Sequence, residues 1–283
     1  MKRKAPIETV NNSAGRPSFG RGGHRLSGWT ALIFRILSWA VAAAVLIFAG
    51  GTVMAAESCR DLARGADRYT VCSFDPAARP IRVYDFDPQG AAYQSFDRLA
   101  LQLWREHRNF PLFATNGGMY RDDYSAVGLL VENGIERRAI STRGGWGNFH
   151  LQPNGVFFVD GDKAGVLDTQ AYLRAGIKPA YATQSGPMLV VDGKIHPKFL
   201  ADSDSFKRRN GVGVDAAGRV HFVISEGGVR FYDFAALFRD ELQCANALFL
   251  DGSISSVHIP ERRRSDRFFP MGPIIAVVGS VPD

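Results

Sequence analysis

The sequence predicts an α+β fold: a mixed, mostly antiparallel sheet with a few packed helices. Short apolar runs recur along the chain, and two of the pairs they form are joined by Asn133-Gly134 and Asp192-Gly193, dipeptides that close tight hairpins. Only two or three stretches carry helical periodicity. With 46% apolar residues and 20 Phe among 283 residues, the chain can bury a sizeable core.

In order, Tyr69–Phe74 and Ile81–Phe86 are expected strands joined by a Pro-containing turn. Ser95 caps a predicted helix running to His107, with Phe96, Leu99, Leu103 and Trp104 on one face and His107 complementing the dipole. Phe110–Thr115 is a strand, and Val127–Glu132 pairs with Ile135–Ile140 across Asn133-Gly134. Thr142–His150 is a glycine-rich surface loop carrying Trp146. Gly155–Asp160 and Ala164–Leu167 form another hairpin, and Asp168–Gly176 is a short helix with an acid at its start and glycine at its end. Ala180–Thr183 is followed by the hairpin Met188–Val191 and Lys194–His196, and after a polar loop by paired strands Gly211–Asp215 and Arg219–Ser225. Tyr232–Leu242 is an amphipathic helix burying Phe234, Leu237, Phe238 and Leu242. The loop bearing Arg262, Arg263, Arg264 and Arg267 is expected to be a solvated excursion balanced by Glu261 and Asp266, and Ile274–Val278 closes the sheet.

Charge divides the chain. Residues 1–56 hold seven of the 34 Lys/Arg and one of the 28 Asp/Glu, which accounts for the whole net charge of +6. Residues 57–283 are balanced, so the folded part has no global basic field and nucleic-acid binding is not expected. A basic tail leads into the apolar stretch Trp29–Phe48, and Ile36–Ala56 is uncharged and ends in small residues. Residues 1–56 are therefore expected to be a basic tail plus a signal peptide or membrane anchor, and 57–283 a single exported domain. The compartment is periplasmic or otherwise extracytoplasmic, and the membrane is met only through the N-terminal segment, with residues 29–51 as the anchor if it is retained. Cys59 and Cys72 close a short loop just past this leader, so a disulfide is expected there, with Cys244 left as a buried thiol.

The chain is organised around Ala247–Ser256, an apolar strand that delivers Asp251 into a Gly252-Ser253-Ile254-Ser255-Ser256 turn. Three more polar, glycine-flanked strand ends accompany it: Asn116-Gly117-Gly118-Met119-Tyr120, Gln184-Ser185-Gly186-Pro187 and Ser225-Glu226-Gly227-Gly228. Lys207-Arg208-Arg209-Asn210 precedes another strand, where a guanidinium could bind an oxyanion in bidentate fashion. Two carboxylates, one or two arginines and several amides suit an anionic, sugar-like substrate. No Gly-x-Ser-x-Gly elbow supports a serine hydrolase. No His pair or Cys-x-x-Cys suggests zinc, so no cofactor is expected, a divalent metal being left open.

Taken in order, Asn116-Gly117-Gly118-Met119-Tyr120, Gln184-Ser185-Gly186-Pro187, Arg209-Asn210-Gly211-Val212-Gly213 and Leu250-Asp251-Gly252-Ser253 resemble the phosphodiester glycosidase domain family. The likeness runs from about Tyr69 to Val278. It implies an α+β fold with one cleft and an activity on sugar phosphodiesters, like that of the eukaryotic uncovering enzyme. Asn116, Arg209, Gly213, Asp251 and Ser253 match its motif positions. Uncovering-type relatives carry a longer glycine run after the Asp and Thr-Ala after the Arg, so the mammalian substrate is not transferred. On this reading Asp251, Glu226 and Arg209 are catalytic: base or nucleophile, second carboxylate and phosphate-binding cation. Asn116, Gly117, Tyr120, Gln184, Ser185, Arg208, Asn210 and Ser253 bind substrate. The alternatives are a non-catalytic envelope module that binds an anionic glycan and a metal-dependent phosphodiesterase.

Overall fold

A computed structural model describes residues 58–252 and 254–281. The tail and leader, the anchor at 29–51 included, lie outside the described residues. No helix among the described residues is long and apolar enough to cross a membrane.

The strands are β1 (Ser58–Arg64), β2 (Asp67–Phe74), β3 (Ile81–Tyr84), β4 (Asn109–Asn116), β5 (Leu130–Glu132), β6 (Ile135–Arg138), β7 (Gly155–Asp160), β8 (Lys163–Asp168) and β9 (Tyr181–Ser185). They continue as β10 (Met188–Val191), β11 (Lys194–Ile195), β12 (Asn210–Asp215), β13 (Val220–Ser225), β14 (Cys244–Phe249), β15 (Val257–Ile259), β16 (Arg264–Ser265) and β17 (Ile274–Ser280). They form three sheets ordered β1-β2-β13-β12-β14-β10-β11, β16-β15-β4-β17-β3 and β6-β5-β9-β7-β8. Helices α1 (Phe96–His107), α2 (Thr169–Ala175) and α3 (Phe231–Ala236) accompany them.

The expectation of a mixed sheet is corrected: every strand pairing described is antiparallel. The helical crossovers do not make parallel neighbours, because a third strand is inserted each time and pairs antiparallel with both: β17 between β3 and β4 joined through α1, β7 between β8 and β9 through α2, and β12 between β13 and β14 through α3. The hairpin turns at Asn133-Gly134 and Asp192-Gly193 have the positive φ at both residues that their sequences call for.

The sheets meet on aromatic rings. Phe222 of the first sheet stacks on Phe113 of the second at 5.0 Å and meets Phe157 of the third edge-on at 5.9 Å. All three rings are buried, and at about 1.5–3 kcal/mol each they weld three sheets that share no strand ladder. α3 and a π-helical turn (Leu237–Glu241) continuous with it cover the opposite face of the seven-stranded sheet with Phe234, Leu237 and Phe238. α1 is capped by Ser95 and buries Phe96, Leu99 and Leu103 on the second sheet. Trp104, expected on that face, is 42% exposed and carries the Arg108 guanidinium at 5.1 Å instead.

β1, which has no apolar alternation to announce it, is an edge strand held in register by Cys59 opposite Cys72. Those two residues form the expected disulfide, and Cys244 is a buried free thiol. The 260–267 loop is also corrected. Its β16 pairs with β15, and Arg262 and Arg264 reach Asp61 and Glu226, so it is a solvated excursion only in part, at the exposed residues 261–263 and 267.

Candidate active site

β14 carries the chain to Leu250, and from there polar side chains fix the backbone. The Leu250 N–H donates to Asn210 O at 3.1 Å, and Ser185 Oγ donates to Leu250 O at 2.5 Å. The Asp251 N–H donates to Asn210 Oδ1 at 3.1 Å, while Asp251 O accepts from Asn116 Nδ2 at 3.3 Å and from Ser255 Oγ at 2.9 Å. At the far end of the turn the Ser256 N–H donates to Asn116 Oδ1 at 2.9 Å. Asn116 and Asn210 also bond each other, Asn210 Nδ2 donating to Asn116 Oδ1 at 3.0 Å. Both asparagines are 1% exposed, whereas Asp251 itself is half-buried. Each buried amide serves main-chain groups that would otherwise be unsatisfied, so the turn has little freedom to move.

Gly252 belongs here for space. Its backbone lies outside the left-handed region, but a Cβ would stand 2.9 Å from Phe249 Cζ and 3.1 Å from Arg208 O. Gly213, another motif glycine, is likewise pressed by Cys244 Sγ and Phe238 Cδ1, each 2.8 Å from a built Cβ.

Arg209 does not face the cleft expected of it. It is 2% exposed, with its guanidinium 3.5 Å from the centroid of Phe231. Its Nε donates to Val229 O at 2.9 Å and Nη2 to Ser205 O at 3.3 Å. Burial pulls its pKa down to about 10, and no carboxylate forms an ion pair with it among the described residues. A cation in that position ties a loop to α3 across an aromatic ring, and the catalytic role given to it is withdrawn.

Arg208, one residue earlier and likewise ahead of β12, is the more exposed member of the pair. Its Nε donates to Ser225 O at 3.3 Å and its Nη2 pairs with Asp266 Oδ2 at 3.1 Å, leaving the side chain 30% exposed. Asp266 also faces Arg264 Nε at 3.4 Å, and Arg264 Nη1 reaches Glu226 Oε1 at 2.7 Å. The same Glu226 oxygen accepts from Thr70 Oγ1 at 2.7 Å. Glu226 therefore ends a chain of alternating charges that runs back to Arg208, and is no second carboxylate beside Asp251. Sequence reasoning missed Asp266 and Arg264, because their partners lie far away along the chain.

Several substrate-binding assignments become structural. Gln184 Oε1 accepts from the N–H groups of Leu129 and Ser141, and its Nε2 donates to Ser141 O and Thr169 Oγ1. Its amide is saturated and 1% exposed. Ser185, Asn116 and Asn210 are buried as described, and Gly117 lies under Pro273, whose oxygen its N–H meets at 2.6 Å. These five shape the site without facing it. Tyr120 is different: half-buried, stacked on Tyr124 at 5.8 Å, and donating to Pro270 O at 2.9 Å. Its phenol pKa is pushed up to about 12 by burial and by the charge of Asp251, which places the two side chains in one electrostatic neighbourhood. Ser253 lies outside the described residues. Among those described, no three His, Cys, Asp or Glu side chains are grouped to hold a metal ion.

Comparison with known proteins gives the arrangement a context. The sequence model of the family described as phosphodiester glycosidase matches residues 109–266, a span that opens with β4 and closes on Asp266. The uncharacterized protein YigE of Escherichia coli (strain K12) is 34% identical over 208 residues, covering 73% of this chain and 80% of that one. The solved catalytic domain of zebrafish N-acetylglucosamine-1-phosphodiester alpha-N-acetylglucosaminidase, auto-inhibited by its pro-peptide, superposes with a TM-score of 0.54 at 16% identity. It covers 78% of this chain and 81% of that one.

Proposed function

The chain belongs to the phosphodiester glycosidase family, and from that membership we propose that it is an exported hydrolase of sugar phosphodiesters, cleaving the bond between a sugar and a phosphate in an envelope glycan or a related anionic saccharide. The observation that carries this reading is the paired-asparagine clamp. Two buried amides and two serine hydroxyls are spent on fixing the main chain around a single half-exposed carboxylate, Asp251. Export is supported by the Cys59–Cys72 disulfide, which fits an oxidising compartment, and by the basic tail and apolar run that precede it.

The chemistry follows from the leaving group. In a sugar-1-phosphodiester the group that departs is a phosphate monoester, already a weak base, so departure needs little protonation. What the site must supply is a cation for the phosphate and a carboxylate for the oxocarbenium-like transition state. Asp251 takes the second role, as nucleophile or as the base that activates water. Arg208 takes the first in place of Arg209. It is exposed where Arg209 is not, and its carbonyl packs on Gly252 of the Asp251 turn. Asp266, Arg264 and Glu226 position Arg208 through their chain of ion pairs, and Tyr120 contributes an edge of the cleft. A panel of sugar-1-phosphodiesters, followed by release of reducing sugar, tests the proposal. Turnover of at least one member is expected. Saturable binding of an anionic glycan with no hydrolysis of any member identifies a binding module instead.

A further inference from the structure

Away from the Asp251 turn, a cavity of about 440 Å³ opens between the segment after β3 and the β5–β6 hairpin. Phe86, Pro88, Ala126 and Leu130 give it apolar walls, and Asp85 and Glu132 line it as well. Asp85 is 3% exposed, and its Oδ1 is a buried polar atom with no hydrogen-bond partner among the described residues. The Ala126 N–H faces the same carboxyl group and favours its charge. Glu132 comes from the facing strand with its side chain 17% exposed, and its nearest cation, Arg137 Nε, stands 3.8 Å away.

A buried carboxyl oxygen left without a donor is costly, and in native structures it marks a place where a missing group belongs. The nearby acids are otherwise employed. Asp87 Oδ1 accepts from the Gln89 and Ala91 N–H groups, and its Oδ2 lies 3.7 Å from Arg98. Asp123 accepts from Ser125.

We propose that this cavity binds the ammonium group of a small amine-bearing polyol, an amino sugar in size and polarity, with Asp85 as the first acceptor and Glu132 as the second. An ammonium supplies three donors and a positive charge to a pair of carboxyls of which Glu132 has only the 3.8 Å contact with Arg137, whereas a neutral hydroxyl supplies one donor and no charge. A calcium ion would need six to eight oxygens, whereas Asp85 and Glu132 together bring at most four, Asp87 and Ser125 being engaged in bonds of their own. The apolar walls suit a carbon ring, and the volume lies in the range of small-molecule sites. The proposal stands apart from the hydrolase reading, since Asp251 takes no part in it.

Protonation supports the assignment. Burial first, then the charge of Glu132 and, more weakly, that of Asp123, push Asp85 up to about 7 against the pull of the Ala126 N–H, and burial pushes Glu132 to about 7 against the pull of Arg137. Arg138 on β6 and Asp87 on the segment of Asp85 itself are the remaining charges on the cavity. An ammonium ligand therefore binds more tightly as pH rises through neutrality and both carboxyls ionise.

The test is calorimetric titration of the purified full-length protein with glucosamine, with glucose and N-acetylglucosamine as uncharged controls, from about pH 5.5 to pH 7, where the amine stays largely protonated. Saturable glucosamine binding is expected, severalfold tighter at the higher pH and about tenfold weaker in Asp85→Asn, the size of one charge-assisted hydrogen bond. Glu132→Gln, at a less buried position than Asp85, should weaken it by a smaller factor, which keeps the test independent of how Asp85→Asn folds. Equal binding by the uncharged controls, undiminished binding in both variants, or no saturable binding at millimolar glucosamine overturns the proposal.

Discussion

Asn210 donates its amide to Asn116 across a gap of 3.0 Å, and between them the two side chains hold both ends of the turn that carries Asp251. Neither amide reaches solvent, so their work is positional. Replacing Asn116 with Ala removes acceptors and donors from three buried main-chain or amide groups. The expected loss is roughly 1–3 kcal/mol of stability by chemical denaturation, with turnover falling further than stability explains. Unchanged stability and unchanged turnover would remove the clamp from the account.

Gly252 sits where a methyl group would meet Phe249 and the Arg208 carbonyl. Phe249 is fully buried and has little room to give. Gly252→Ala is expected to cost about 1–3 kcal/mol as an overpacking change and to displace the Asp251 carboxylate. Thermal melts check the first effect, and kcat checks the second. A variant as stable and as active as the parent would mean the turn is looser than its hydrogen bonds imply.

The two neighbouring arginines separate cleanly by experiment. Arg208→Ala should lower kcat/KM by about 10²–10³, the size of a lost oxyanion donor, while changing stability little. Arg209→Lys should do the reverse. A lysine cannot keep both the Phe231 stack and the bonds to Val229 O and Ser205 O, so about 1–3 kcal/mol of stability goes while the folded fraction keeps its turnover. Loss of turnover in Arg209→Lys with an unshifted melt would reinstate Arg209 as the phosphate ligand.

That pair also marks how far the sequence could be read. Lys207-Arg208-Arg209-Asn210 shows that a cation precedes β12, but along a strand a shift of one residue exchanges the faces, and nothing local says which arginine points inward. The hairpins were legible because Asn-Gly and Asp-Gly impose their own backbone geometry, and the Ser95 cap because its partner lies three residues away. The four polar strand ends were legible as places, but not the roles of their side chains. Gln184, Ser185, Asn116 and Asn210 look like ligand-binding groups until their long-range partners are known. Asp266 and Arg264 gave no local signal, since what they join, Arg208 and Glu226, lies at least 38 residues away.

Stability should depend on pH through the cavity acids. Asp85 has an ordinary pKa near 3.8 in the unfolded chain and one of about 7 when folded, so the folded state holds the extra proton between those values. Its contribution is present at acid pH and is lost as pH rises from about 4 to about 7, Glu132 acting in the same sense. Asp85→Asn is isosteric and cannot ionise, so it should be the more stable protein by about 2–4 kcal/mol above neutrality, with near parity at pH 4. Parallel denaturation curves at both pH values would show that Asp85 ionises freely in the folded protein.

The central claim is that one clamped carboxylate performs the chemistry, and the most direct measurement is steady-state hydrolysis of a sugar-1-phosphodiester by the parent and by Asp251→Asn. The substitution keeps the main-chain bonds to Asn116, Asn210 and Ser255, so the turn should survive while the charge is lost. The account predicts a fall in kcat of about 10³-fold or more with an unchanged melting temperature. Hydrolysis by Asp251→Asn at the parental rate would contradict it.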